Sequence, residues 1–428
     1  MDLTSIFPPA SAEKWREQIK KELKLEDIHA IEWKNENGIV IAPFYSSEDQ
    51  HRTYLPAFTH REWDICVDAG TRSVVDKNTH LLKALQSGAT AIHVVYEGET
   101  PEELLKTIQL EYIRSSFVVT LSNARTLLSY LHTHYTTELN CALFCNELHS
   151  EAAHLEWKSL QEEYPRVTLL TASVLKHHNA NCFAVTELAL ALAALTEQLN
   201  SGIQSKTAHI QLGAGNDYFV ELAKFRAMHR LWLQLAPHFN CKAELQIHAE
   251  TTLTNKTVSD AYNNLLRTTT ETLSAILGGA HSITVHGYDV MQGGDSELAF
   301  RMAINQQLIL REEALLSHFA DVACGSWFIE SLTDALAEKA LALFTTIEQK
   351  GGYTAVLPSD WLSKRLLEEA AERQSKVNAG ERVVIGINKF KNASESLSVS
   401  ADTIEKIKNR GVINPSFDYE LKNFFSHA

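Results

Sequence analysis

From residue 63 the chain alternates short apolar runs with longer stretches in which apolar residues recur at helical spacing. The runs at 63–67, 91–96, 117–121, 141–145, 167–170, 208–212, 243–247 and 283–285 read as strands. Between them, Thr100-Pro101-Glu102-Glu103 reads as an N-cap, a proline at the first helical position and a capping-box glutamate. Ser259-Asp260 opens a helix that Gly278-Gly279 stops. Eight strand–helix units in one series predict an α/β fold, a (β/α)8 TIM barrel, because a doubly wound sheet rarely runs so long. No Gly-rich phosphate loop follows the first strand, which weakens a dinucleotide-binding fold further.

The flanks follow other patterns. Residues 1–60 predict an N-terminal helical and hairpin arm. Phe7-Pro8-Pro9 is stiff, Ser11 caps a helix over 13–25 with Trp15, Ile19 and Leu23 on one stripe, and two short strands turn at Asn37-Gly38. Such an arm needs a surface, its own barrel or a partner. The barrel with its C-terminal helices is expected over 61–390. Those helices are 296–317, a long one ending at Gly351-Gly352, and 359–377, followed by a short buried strand at 381–388. In the long helix Phe328, Ile329, Leu332, Leu336, Ala340 and Leu343 mark the packed face, and Glu330, Asp334, Glu338 and Lys339 the wet one. Residues 391–428 read as a tail or docking segment with a capped helix over 402–410.

Composition narrows the class. With 39 basic and 53 acidic residues the net charge is −14, which argues against nucleic acid or a membrane surface as partner. The most apolar window, 182–195, is short and carries Glu187, so it reads as a buried helix rather than a membrane span. The six cysteines form no C-x-x-C pair and no zinc-like spacing; with no signal-peptide pattern, they read as reduced thiols of a cytoplasmic protein.

Barrel chemistry sits where strands end. His248 and Glu250, with His286 and Asp289, are candidates for a metal but read more simply as hydrogen-bonded loop residues. His177-His178 read as solvent-facing, and Asn146, Glu147 and His149 lack the partners a mechanism needs. No metal site is expected.

Gly325-Ser326-Trp327-Phe328-Ile329-Glu330-Ser331-Leu332-Thr333 resembles the signature of methylmalonyl-CoA mutases. So do Phe7-Pro8-Pro9-Ala10-Ser11, Glu221-Leu222-Ala223-Lys224-Phe225-Arg226, Tyr262-Asn263-Asn264-Leu265-Leu266-Arg267 and Asn305-Gln306-Gln307-Leu308. The resemblance implies an adenosylcobalamin-dependent interconversion of methylmalonyl-CoA and succinyl-CoA, in which the cofactor carries the hard chemistry.

Two departures shape the expected role. About forty residues follow Phe390, too few for the family's flavodoxin-like cobalamin domain, and its Asp-x-His-x-x-Gly loop is absent. Aligned through Ala184-Val185-Thr186-Glu187, the Tyr-His pair that touches substrate in catalytic chains is replaced by Leu175 and Lys176. No catalytic residue is therefore expected, and no cofactor bound by this chain. The resemblance points to a non-catalytic small subunit of a heterodimeric mutase, with adenosylcobalamin in the catalytic large subunit as partner. Phe7, Pro8, Pro9, Trp15 and Trp33 are its candidate partner-binding residues, and the isolated chain is a candidate homodimer. The alternative is a catalytic barrel that uses a separate cobalamin-binding subunit. Catalytic chains thread the CoA arm along the barrel axis; here Ile92, Val94, Tyr96, Leu143, Leu169, Leu245, Ile247 and Val285 are expected to fill it.

Overall fold

The computed structural model describes residues 11–49, 54–70, 72–294 and 296–390. Phe7, Pro8, Pro9 and the 402–410 helix lie outside the described residues. Helix α1 (Ala12–Leu23) begins the arm, and hairpin strands β1 (Trp33–Lys34) and β2 (Val40–Ile41) follow. The barrel strands are β3 (Asp64–Asp68), β4 (Ala91–Val95), β5 (Arg114–Val119), β6 (Cys141–Cys145), β7 (Thr171–Ser173), β8 (Thr207–Ala214), β9 (Glu244–Thr251) and β10 (Ser282–Thr284). Around and beyond them run α2 (Val74–Gln86), α3 (Pro101–Leu104), α4 (Leu121–His134), α5 (Glu151–Glu163), α6 (Leu175–Asn179), α7 (Ala184–Asn200), α8 (Tyr218–Leu235), α9 (Asn263–Gly278), α10 (Glu297–Leu308), α11 (Trp327–Gln349), α12 (Gly352–Val356) and α13 (Asp360–Asn378).

The eight barrel strands form one parallel sheet in the order β6-β5-β4-β3-β10-β9-β8-β7. A parallel bridge between Ala142 and Thr168 joins its two ends, so the sheet closes into a (β/α)8 barrel. The closure also explains why 167–170 is not the strand its apolar run predicts. Helix α5 takes the backbone groups there: Gln161 Oε1 accepts from Leu169 N at 2.7 Å, and Trp157 Nε1 donates to Leu169 O at 2.8 Å. Only Thr168 remains to pair with β6.

Other boundaries moved for local reasons. Helix α3 is four residues long and Thr100 makes no side-chain cap bond, so the capping box does not form. Helix α9 starts at Asn263, because Asp260 adopts a left-handed φ of 48° that breaks the turn; Gly279 ends it as expected, at φ 93°. Strand β5 starts at Arg114, where polar residues face an interior that turns out to be polar. The segment at 381–388 makes one isolated bridge instead of a strand; Val384 and Ile387 are buried, while Val383 and Ile385 stay exposed.

The long signature helix ends at Gln349 with Lys350 as its C-cap, and Gly351 and Gly352 are left-handed. Its packed face holds Ile329, Leu332, Leu336 and Ala340 in the core. Glu330, expected on the wet face, is completely buried. Two arginines, Arg226 and Arg230, reach it from α8 and make that burial tolerable.

The arm lies on its own barrel. Ser11 caps α1 through Lys14 N, and Trp15 stacks on Phe44 with ring centroids 4.8 Å apart. Trp33 remains half exposed. The hairpin turn reaches the start of α7, where Asn37 Oδ1 accepts from Val185 N at 3.0 Å. Glu36 is buried between two arginines of the C-terminal extension; it accepts from Arg373 Nε at 3.0 Å and Arg382 Nη1 at 3.0 Å, and Arg373 Nη2 adds a second bond. Burial raises the Glu36 pKa, but Arg373 and Arg382 outweigh it and hold the carboxyl at about 2. Glu36→Gln is expected to cost about 1–3 kcal/mol and to loosen the hairpin, read as faster hydrogen exchange over 33–41 with the barrel strands unchanged. Equal exchange in both proteins would mean that Asn37 alone holds the turn.

Candidate functional site at the barrel axis and mouth

Which side chains point into the barrel is settled by contacts between strands that are not neighbours. Gln211 of β8 approaches His93 of β4 at 3.3 Å, and His93 stacks over His248 of β9 with centroids 5.5 Å apart. Phe144 of β6 meets the His93 ring edge-on at 6.5 Å. The strand alternation then sends Ile92, Val94, Leu143, Leu245 and Ile247 outward, and with Tyr96, Leu169 and Val285 they join the core beneath the helices. The expected filling by these bulky side chains is therefore wrong. The axis is filled at mid-height by two imidazoles, an amide and a phenyl ring, all buried.

This layer satisfies itself. His93 Nδ1 pairs with Ser116 Oγ at 2.7 Å, and His248 Nδ1 with Ser282 Oγ at 2.8 Å, while His248 Nε2 meets Thr284 Oγ1 at 3.2 Å. Burial, then His93, pushes the His248 pKa far below the usual imidazole range, so the ring is neutral. Burial does the same to His209 one layer down, to about 3.

At the C-terminal mouth the expected candidates separate. His286 Nε2 pairs with Glu250 Oε1 at 2.9 Å, one layer above His248, so the two imidazoles do not converge. Asp289 accepts from Ser296 N at 3.1 Å and holds its loop. Among the described residues no group of three or more metal-ligating side chains gathers. Asn146 and His149 are exposed, and Glu147 accepts from Leu121 N at 2.8 Å. His177 and His178 are buried, against the solvent-facing expectation, because α6 tucks beneath α7 and α12. His177 Nε2 meets Tyr353 Oη at 3.2 Å, and His178 Nδ1 meets Glu187 Oε2 at 2.9 Å.

Glu187 anchors a charged knot that the apolar wording of α7 conceals. Lys224 Nζ, fully buried, donates to Glu187 Oε2 at 2.8 Å and Gly213 O at 2.7 Å, and pairs with Glu221 at 2.6 Å. Burial raises the Glu187 pKa, but Lys224 and His178 outweigh it and hold the carboxyl at about 2. Gly213 is required here, since a Cβ would stand 2.1 Å from the His178 ring. The signal was legible: a glutamate inside an apolar helix needs a buried partner. Leu175 and Lys176 begin α6 at the end of β7, with Lys176 exposed. A cavity of about 80 Å³ lies between the ends of β3 and β10.

At the opposite end, beneath the strands, a cavity of about 790 Å³ opens beside Trp63, Asp64, Arg114 and His281. Arg114 Nε donates to Asp64 Oδ2 at 2.7 Å, and His60 stacks on His281 at 3.8 Å. Burial keeps His60, His229 and His281 below the usual imidazole range. Among the described residues neither end shows a nucleophile paired with a base. Among the described residues no helix is long and apolar enough to cross a membrane.

A closed α/β barrel with a filled polar axis and an arm latched over its rim is the class this chain defines. The sequence model of the methylmalonyl-CoA mutase family matches residues 146–412. A Porphyromonas gingivalis protein named methylmalonyl-CoA mutase small subunit is 30% identical over 442 residues, covering 92% of this chain and 72% of that one. A Caenorhabditis elegans protein named probable methylmalonyl-CoA mutase, mitochondrial, is 26% identical over 456 residues, covering 89% of this chain and 61% of its own length. Among solved structures, dihydropteroate synthase of Xanthomonas albilineans aligns with a TM-score of 0.32 and 16% identity over 60% of this chain and 95% of that one, a likeness that carries no argument. The chain belongs to the methylmalonyl-CoA mutase family, and it spans less than two thirds of the length of several relatives it matches.

Proposed function

We propose that this chain is a non-catalytic subunit of an adenosylcobalamin-dependent methylmalonyl-CoA mutase, binding and stabilising a separate catalytic large subunit. The observation that carries the reading is the filled axis. A CoA arm threading the barrel would have to displace His93, Gln211, His248 and Phe144, which already bond or stack with one another across it. Leu175 and Lys176 favour the same reading, because leucine cannot hydrogen-bond a thioester and lysine is a point charge rather than a tunable imidazole.

The mouth does not fit the cofactor. Its polar groups are committed to one another, His178 and Lys224 to Glu187 and His286 to Glu250, and the 80 Å³ between β3 and β10 is far from the room a corrin needs. Its contribution is a surface. The half-exposed Trp33, with Val40, Leu23 and Phe44 on the same arm, offers the large apolar side chains that carry interface energy.

The test is size-exclusion chromatography with light scattering on this chain alone and mixed with a large mutase subunit, with turnover assayed in each fraction supplied with adenosylcobalamin. The expected result is a one-to-one complex that carries all turnover, and a silent isolated chain. Turnover by this chain supplied only with a cobalamin-binding subunit would make it a catalytic barrel and overturn the proposal.

A further inference from the structure

An apolar patch marks the barrel rim where the start of α9 meets the last described residues. Tyr262 and Leu266 lie one helical turn apart at 65% and 66% exposure, and Ile385 and Phe390 add 45% and 74%. The two parts are tied together. Arg267 Nη2 donates to Ile385 O at 2.7 Å, and a Cβ on Gly386 would stand 3.5 Å from Asn263 Nδ2. Asn388 braces the turn between them: its Oδ1 accepts from Val384 N at 2.7 Å, and its Nδ2 donates to Val377 O at 2.9 Å. The chain therefore leaves toward residue 391 from the patch itself, at a fixed point.

We propose that this patch is the docking site of the chain's own residues 391–428, with Ile404 and Ile407 as the apolar contacts. Three arguments select that occupant over a second copy or another protein. The segment is tethered at Phe390, so its effective concentration at the patch is on the order of millimolar, far above that of a free partner. Its sequence supplies what the patch lacks: Ile404 and Ile407 stand three apart, on one side of the helical pattern over 402–410. The fourteen residues from Phe390 to Ile404 span up to about 45 Å when extended, ample to return to α9. The family match also continues through residue 412, so the segment shares the pattern of the family beyond the patch.

The proposal is independent of the subunit reading and is tested on the full chain by limited trypsin digestion, following cleavage after Lys406, Lys408 and Arg410 by mass spectrometry. Leu266→Glu changes an exposed side chain and leaves the fold intact; Ile404→Glu changes the other side of the contact. Each is expected to speed cleavage at those three sites about tenfold, as a docked segment is cut only after it opens. The double variant is expected to be no faster than either single one, with cleavage in the barrel unchanged. Equal cleavage rates in all four proteins would overturn the proposal. So would protection that falls on dilution together with loss of a dimer by light scattering, since the patch would then belong to a second copy.

Discussion

Glu330→Ala is expected to cost about 3–5 kcal/mol of stability, the range for removing one partner of a buried ion pair. Glu330 is fully buried on α11, and its oxygens take Arg226 Nη2 and Gly325 N, each at 2.8 Å, and the guanidinium of Arg230. Arg226 is itself fully buried and reaches Asp321 as well. Arg230 also contacts Asp334 at 2.7 Å and the Tyr54 ring at 5.5 Å. Alanine leaves Arg226 short of one counter-charge in a dry site and leaves the Gly325 amide without its acceptor. Gly325, at a left-handed φ of 82°, turns the chain into the helix, so the loop loses its hold at the same time. Glu338, exposed on the same helix, is the control, and its replacement by alanine is expected to stay within about 0.5 kcal/mol. Urea unfolding of both variants measures the difference. A loss below about 1 kcal/mol for Glu330→Ala would mean that Asp321 and Asp334 suffice for both arginines.

The second large effect is acid sensitivity. Burial is the first cause that lowers the pKa of His177 to about 3, His209 to about 3 and His229 to about 4, and it takes His248 and His281 well below the usual range. Lys176 adds to the effect on His177, and Arg114 to that on His209, His248 and His281. For a histidine with a depressed folded pKa, the unfolded chain takes up protons first. The stabilisation is thus full above pH ~6.5 and is lost as pH falls toward the folded values. By pH 5 each such histidine contributes a loss of about 2 kcal/mol, and five of them together, about 10 kcal/mol, are comparable with the net stability of a typical domain. Cooperative unfolding is therefore expected between about pH 6 and pH 5, read by circular dichroism. A urea midpoint unchanged from pH 7.5 to 5.5 would mean that these rings are hydrated in solution.

The core of the fold was legible because strand and helix leave different periods in the sequence. Eight apolar runs at strand length, with helical spacing between them, define the barrel, and seven of the eight overlap the strands of the structure. The exception, 167–170, fails for a reason periodicity does not carry: Gln161 and Trp157 satisfy its backbone from α5. The site was less legible. Leu175 and Lys176 were marked by alignment, yet His93, Gln211 and Phe144 were not, because each sits in a strand whose apolar neighbours dominate the pattern.

Composition, the eight-fold alternation, the glycine stops after α9 and α11 and the family wording are properties of the sequence by itself. What only the tertiary structure decided is which side of each strand faces the axis, and with it the chemistry inside the barrel. A parallel strand under helices is buried on both faces, so apolar content no longer distinguishes inside from outside. Contacts across the barrel, Gln211 with His93 and His93 with His248, make that distinction. The same holds for the buried charges. Glu187, Lys224, Arg226 and Glu330 each look solvated or anomalous along the chain, and only their meeting in three dimensions neutralises them.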